Sequence, residues 1–230
     1  MGHLKPSDYR IRKLIGILGI SFPIVLPLLA NSNIISSISH YYYLTAPSLY
    51  FIIVLSSLAL FLISYKGYSK DGDELINDDW LTNLAGVMAL LVVLIPTSCD
   101  ESGSLAIDRI CASENYPLFG HNVPIINKYH FIAAGVFIFL MGWMSFFKFS
   151  RGEAKGSFRL ILFKTCGILV WSAILCLAIY FYFDGNIENL VFWMEALAIM
   201  SFGISWLIKG EAMEDILGLF KNPWQIGGQI

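Results

Sequence analysis

The sequence predicts an all-α polytopic membrane protein, a six-transmembrane-helix bundle with both termini cytoplasmic. Three observations predict it. Of 230 residues, 57% are hydrophobic and only 14% charged, where a soluble domain carries about 25% charged residues; the mean hydropathy is +0.67. The charges avoid six windows, at about 14–30, 46–65, 80–96, 129–147, 159–183 and 189–208, each close to the roughly 20 apolar residues that span a hydrocarbon core. The third observation is an alternation of basic residues between successive connections. Twelve Lys and Arg residues fall in the N-terminal segment, the 66–79 and 148–159 connections and the tail, whereas 31–45, 97–128 and 184–188 hold only Arg109 and Lys128. Six windows leave no room for a soluble domain, so 1–230 reads as one membrane domain in the cytoplasmic (inner) membrane. A net charge of −2 offers no basic field for nucleic acid.

Taken in order, the first window follows Lys5, Arg10, Arg12 and Lys13. Leu28 occupies the position before Ala30 where a cleavage site needs a small residue. Pro23 and Pro27 suit a retained, kinked span whose freed backbone groups find partners in neighbouring helices. Pro6 replaces the Ser or Thr of a myristoylation signal. The 31–45 connection contains SSISHYYYLT, an outer segment with His40 and three tyrosines. The acidic run DGDELINDD before the third window lacks the spacing of a calcium loop, and Asp79 is placed to cap that helix.

Cys99 and Cys111 share the outer 97–128 connection, where an oxidising compartment permits a disulfide. Cys166 and Cys176 lie about 15 Å apart along one helix, too far to pair, and read as packing residues. Small residues mark close helix approaches: Ala85 and Ala89 in the third window, Ala133, Ala134, Gly135 and Gly142 in the fourth, Ala198, Ser201, Gly203 and Ser205 in the sixth. Residues 211–222 form an amphipathic pattern, with Met213, Ile216, Leu217 and Phe220 opposite Glu211, Glu214 and Asp215. A cytoplasmic surface helix ended by Pro223 follows, suited also to docking a partner.

Ionisable groups inside a span are costly and point to function. Glu195 sits about six residues below the outer end of the last window, with no cation on its own helix nearby. His40, His121 and His130 share that outer side. Histidines and a carboxylate converging from separate helices are a possible zinc ligand set, although no local H-x3-H or H-E-x-x-H spacing is present. Tyr41, Tyr42 and Tyr43 read as an aromatic belt with Tyr50, Tyr129, Tyr180, Tyr182 and Trp193. The sharper expectation is a rim around an outer pocket formed by Glu195, His130, His40, Tyr41, Tyr42, Tyr43 and Trp193.

The runs NLAGVMALLVVLIPT, HFIAAGVFIF and FWMEALAIMSFGISWLIKGE resemble a family of uncharacterised bacterial six-helix integral membrane proteins over roughly 35–210. The resemblance implies the membrane fold and no established reaction. It favours His130 and Glu195 as site residues. His40 departs from the family pattern, because here it precedes the tyrosines, and Pro47 and Ser48 stand where an acidic residue is expected. A looser similarity, through Ser36, Ser37 and His40, is to the ceramidase-like membrane hydrolases, which hold zinc with histidines. The paired histidines of their late helix are missing here.

Three functions follow as expectations. The first is a binding protein whose outer pocket takes a lipid headgroup, a small solute or a partner. The second is a metal-dependent hydrolase of lipid, with zinc on His130, Glu195 and His40. The third is a haem-binding redox protein with His40 and His130 as axial ligands. Membrane lipid is the expected partner, and a homo-oligomer or a second membrane protein is compatible with the small-residue seams. No inverted repeat points to a transporter.

Overall fold

In hydrocarbon, a backbone with no water to bond must satisfy its polar groups internally, and a helix does this within one segment. Each of the six apolar windows is helical. The computed structural model describes residues 6–65, 77–100 and 103–211. Among them are seven α-helices: α1 (Pro6–Leu29), α2 (Thr45–Ser64), α3 (Asp78–Leu94), α4 (Leu105–Ser113), α5 (Pro124–Trp143), α6 (Phe158–Tyr182) and α7 (Leu190–Lys209). A 3₁₀ segment, Ile38–Tyr43, joins α1 to α2, and a π-helical turn, Met144–Phe149, extends α5. No strand occurs among the described residues; Ser98 and His121 form an isolated bridge.

Five of these helices are long and apolar enough to cross a membrane: Tyr9–Leu29 of α1, α2, α5 with its π turn (Pro124–Phe149), α6 and α7. α3 is shorter, at 17 residues. Its start is set by acidic residues and its end by Pro96, which disfavours helical backbone at Ile95. Asn77, not Asp79, caps it: the Asn77 side chain accepts the Asp79 N–H at 3.4 Å. Asp78 is thereby left to pair elsewhere.

The helices form a closed ring in the order α1, α2, α3, α5, α6, α7, with α7 packed back on α1. Small residues make the seams. A Cβ on Gly16 would stand 2.8 Å from the Gly203 carbonyl oxygen, and one on Gly203 would stand 2.9 Å from that of Gly16, so α1 and α7 touch backbone to backbone. Gly135 is different: nothing lies within 4 Å of its Cβ position, and the close approach expected there is absent. Inside the ring, fully buried Trp206 meets Tyr65, Phe149 and Phe202 with ring centroids 5.1, 5.0 and 5.9 Å away.

Charges close one end of the bundle, where α1 begins and α7 ends. Arg12, 1% exposed, donates to the Tyr65 hydroxyl at 2.8 Å and the Lys209 carbonyl at 3.3 Å. Lys148 pairs with Asp78 at 3.0 Å, and Glu153 with Arg159 at 3.4 Å and Lys209 at 3.8 Å. The π turn aims Lys148 and Ser145 inward, and Ser145 meets Ser205 at 2.7 Å. The amphipathic segment expected over 211–222 lies outside the described residues, apart from Glu211.

Candidate functional site

The opposite end of the bundle is closed by hydrogen bonds among short side chains and backbone atoms, and its centre is the 3₁₀ segment. Ser37 caps that segment, its Oγ accepting the Ser39 N–H at 3.1 Å. Three residues per 3₁₀ turn send consecutive side chains about 120° apart. Tyr41, Tyr42 and Tyr43 therefore all bury only if protein surrounds the segment. It does. Tyr41 packs on Phe192 of α7 at 6.2 Å, Tyr42 on Phe51 of α2 at 5.9 Å, and Tyr43 on Tyr116 at 6.5 Å.

The three tyrosines are at most 2% exposed, which corrects their reading as headgroup anchors. The segment is a plug, not a rim. Burial pushes the Tyr41 and Tyr43 phenols up to about 12, so both remain donors: Tyr41 to the Asn33 carbonyl at 2.7 Å and Tyr43 to the Thr97 carbonyl at 2.5 Å. The belt reading suits Tyr129, Tyr182 and Trp193, which are 57%, 81% and 53% exposed. Tyr50 instead turns inward and donates to Ser21 at 2.9 Å.

Glu195 lies under the plug. One oxygen accepts the Ile38 N–H at 2.7 Å and the Ser37 hydroxyl at 2.9 Å; the other stands 3.2 Å from the same hydroxyl. The carboxyl thus answers the donor end of the 3₁₀ segment, where backbone N–H groups lack partners of their own. The Phe192 N–H, one turn earlier on α7, donates to the Ser36 carbonyl at 2.9 Å. Glu195 and His130 do not face each other across a pocket. They are joined through protein: Glu195 to Ser37, Ser37 to the Ser39 N–H, and Ser39 Oγ to His130 Nε2 at 3.0 Å.

His130 is 1% exposed. Its Nδ1 stands 2.7 Å from the Ile95 carbonyl oxygen, which can only accept. Nδ1 therefore carries the proton, and Nε2 of the neutral ring accepts from the Ser39 hydroxyl. His40 Nδ1 bonds Ser36 Oγ at 2.8 Å. Burial holds the His40 imidazole below its ordinary 6.5, against the pull of Asp100, the Ser98 backbone and Asp108. His121 pins the neighbouring connection, with Nε2 on the Pro96 carbonyl at 2.9 Å and Nδ1 accepting the Val123 N–H at 3.1 Å.

Cys99 and Cys111 stand at disulfide distance, 2.02 Å between sulfurs and 5.4 Å between Cα atoms. The link fastens α4 beside the plug, where Ile107 is fully buried. The open depression at this end is lined by Cys99, Asp100, Asp108, Cys111, Ala112 and Asn122, so it lies next to the disulfide rather than around Glu195.

The expected metal set of His130, Glu195 and His40 does not fit. Among the described residues no three His, Cys, Asp or Glu side chains group as metal ligands would. In this structure His130 Nδ1 bonds the Ile95 carbonyl and Nε2 the Ser39 hydroxyl. What the arrangement offers is a serine hydroxyl bonded to an oriented, neutral imidazole. Ser39 and Ile95 escaped the sequence reading. The available signal was a connection holding four serines and three tyrosines but no Gly, Pro, Asp or Lys, a composition suited to a buried segment rather than a solvated loop.

Comparison with protein-family models, with curated proteins and with solved structures gives no match.

Proposed function

We propose that this chain is a six-crossing protein of the cytoplasmic membrane, with its Arg12 end inside and its plugged end outside, and that the plugged end binds the polar head of a membrane lipid. α3 makes the sixth crossing: 17 residues reach roughly 25 Å, a shortfall that local thinning accommodates. The basic residues at the Arg12 end and the disulfide at the other support this orientation. The observation that carries the lipid reading is a matter of depth. His130 is six residues into α5 and Glu195 five into α7, roughly 8–9 Å from the helix ends, at the level of exposed Tyr129, Phe131 and Trp193. Uncharged serine and histidine groups thus line the zone where headgroups meet hydrocarbon.

Two measurements test this. Cysteines placed at residues 33 and 186 should react with an impermeant thiol reagent in intact cells, and one at residue 154 should not; labelling at 154 would overturn the orientation. A phospholipid with a photoreactive headgroup should crosslink to peptides covering 36–43 and 190–195. Crosslinks confined to the Arg12 end would remove the lipid-head reading.

A further inference from the structure

We infer that Ser39 and His130 are a nucleophile and general base for acyl transfer from an ester lipid, an inference that rests on the lipid-head reading above. Ser39 Oγ and His130 Nε2 are 3.0 Å apart, the separation at which an imidazole draws a proton from an attacking hydroxyl. The tautomer is the one the reaction needs. With Nδ1–H given to the Ile95 carbonyl at 2.7 Å, Nε2 has its lone pair toward the serine, and the carbonyl orients the ring as a carboxylate does in a triad.

Burial is divided between the two: Ser39 is partly exposed, whereas His130 is fully buried. The nucleophile's backbone is also held, because Ser37 Oγ accepts the Ser39 N–H while Glu195 accepts both the Ser37 hydroxyl and the Ile38 N–H. Such anchoring fixes the hydroxyl relative to the ring. The depth matches the substrate class, since glycerolipid esters lie at the boundary between headgroup and hydrocarbon.

The step balances without a metal or a redox partner. Ser39 Oγ attacks the ester carbonyl carbon as its proton passes to His130 Nε2. The carbon–oxygen bond to the glycerol breaks, and His130 returns the proton to the departing alkoxide. Water, deprotonated by the same nitrogen, then attacks the acyl-serine; the fatty acid leaves and Ser39 regains its proton.

The test uses the purified full chain in mixed micelles of detergent and an ester phospholipid, treated with a fluorophosphonate. An adduct should form with loss of fluoride, and peptide mass mapping of the wild-type chain should place it on Ser39. Ser39→Ala should abolish the adduct, and His130→Gln should slow its formation at least about 100-fold. Both variants should elute in detergent with the wild-type size-exclusion profile, which reports that they are folded. No adduct on a wild-type chain that crosslinks the lipid overturns the catalytic pair and leaves the lipid reading standing. An adduct on Ser36 instead of Ser39 overturns the pair in the same way, by moving the reactive hydroxyl to the one beside His40. A wild-type chain that neither crosslinks lipid nor forms the adduct overturns both.

Discussion

The two ends of the bundle are closed by different chemistry. At one, Lys148 meets Asp78, Arg159 and Lys209 meet Glu153, and Arg12 meets the Tyr65 hydroxyl and the Lys209 carbonyl, long side chains fixed to helix termini and to the π turn. At the other, short hydroxyls, imidazoles and phenols bond one another and backbone atoms in the connections between helices, with Glu195 as the carboxyl among them. Buried ion pairs are weak contributors to net stability, yet losing one partner is expensive; such an end locks geometry and has little latitude for chemistry. Neutral hydrogen bonds are each worth about 1 kcal/mol, and a hydroxyl on an imidazole can move its proton. Under the proposed function, the Arg12 end is the structural one and the plug the chemical one.

Substitutions put numbers on that division. The largest effect should come from Asp78→Ala, which leaves Lys148 at 7% side-chain exposure without its 3.0 Å partner. On the order of 3–5 kcal/mol of stability should be lost, read as a lower melting temperature in detergent. A loss below about 1 kcal/mol would make this end a solvated surface and erase the contrast.

Reducing the Cys99–Cys111 link should cost roughly 3 kcal/mol if chain entropy governs, measured by melting with and without reductant. An unchanged melt would mean that the buried Ile107 alone docks α4. Glu195→Ala and His130→Ala, though they do not touch, should couple by about 1 kcal/mol in a double-mutant cycle, because the Ser37 and Ser39 bonds join them. Strict additivity would reduce the line to independent contacts.

The smallest effect concerns pH. Because burial lowers the His40 value in the folded state, the unfolded chain takes up the proton more readily. The corresponding stability is full above about 6.5 and is lost as pH falls below it. His40→Gln should flatten that part of the stability–pH curve, read from melting temperatures between about pH 5 and pH 8.

The helices were legible because a charge-free run of some twenty residues leaves the backbone one solution in hydrocarbon. Glu195 and His130 were legible because ionisable groups inside such runs are rare. Ser39 was not, since a serine is unremarkable in any connection and its significance arises from a partner 91 residues away. Tyr41, Tyr42 and Tyr43 were placed at the membrane surface because tyrosines at a span's end look alike in sequence whether they face lipid or protein; the 3₁₀ geometry separates the two. Arg12, Lys148 and Lys209 entered the topology count as basic residues on one side and do gather at one end of the bundle, but such a count says nothing of burial. Their ion pairs depend on the ring order of the helices, which no local pattern encodes.

The plug joins the 31–45 connection to α7, the last helix among the described residues. Ser36 accepts the Phe192 N–H, Glu195 holds the Ser37 hydroxyl and the Ile38 N–H, and Tyr41 rests on Phe192. During synthesis the chain emerges from its N-terminus, so the 31–45 connection reaches its side of the membrane well over a hundred residues before α7 exists to receive it. In a six-crossing membrane protein, as proposed above, its tyrosines and N–H groups wait among headgroups until α7 is inserted. The earliest connection to be made is among the last to be finished, and a ribosome stalled before residue 190 would leave behind a chain with its helices threaded and its top unsealed.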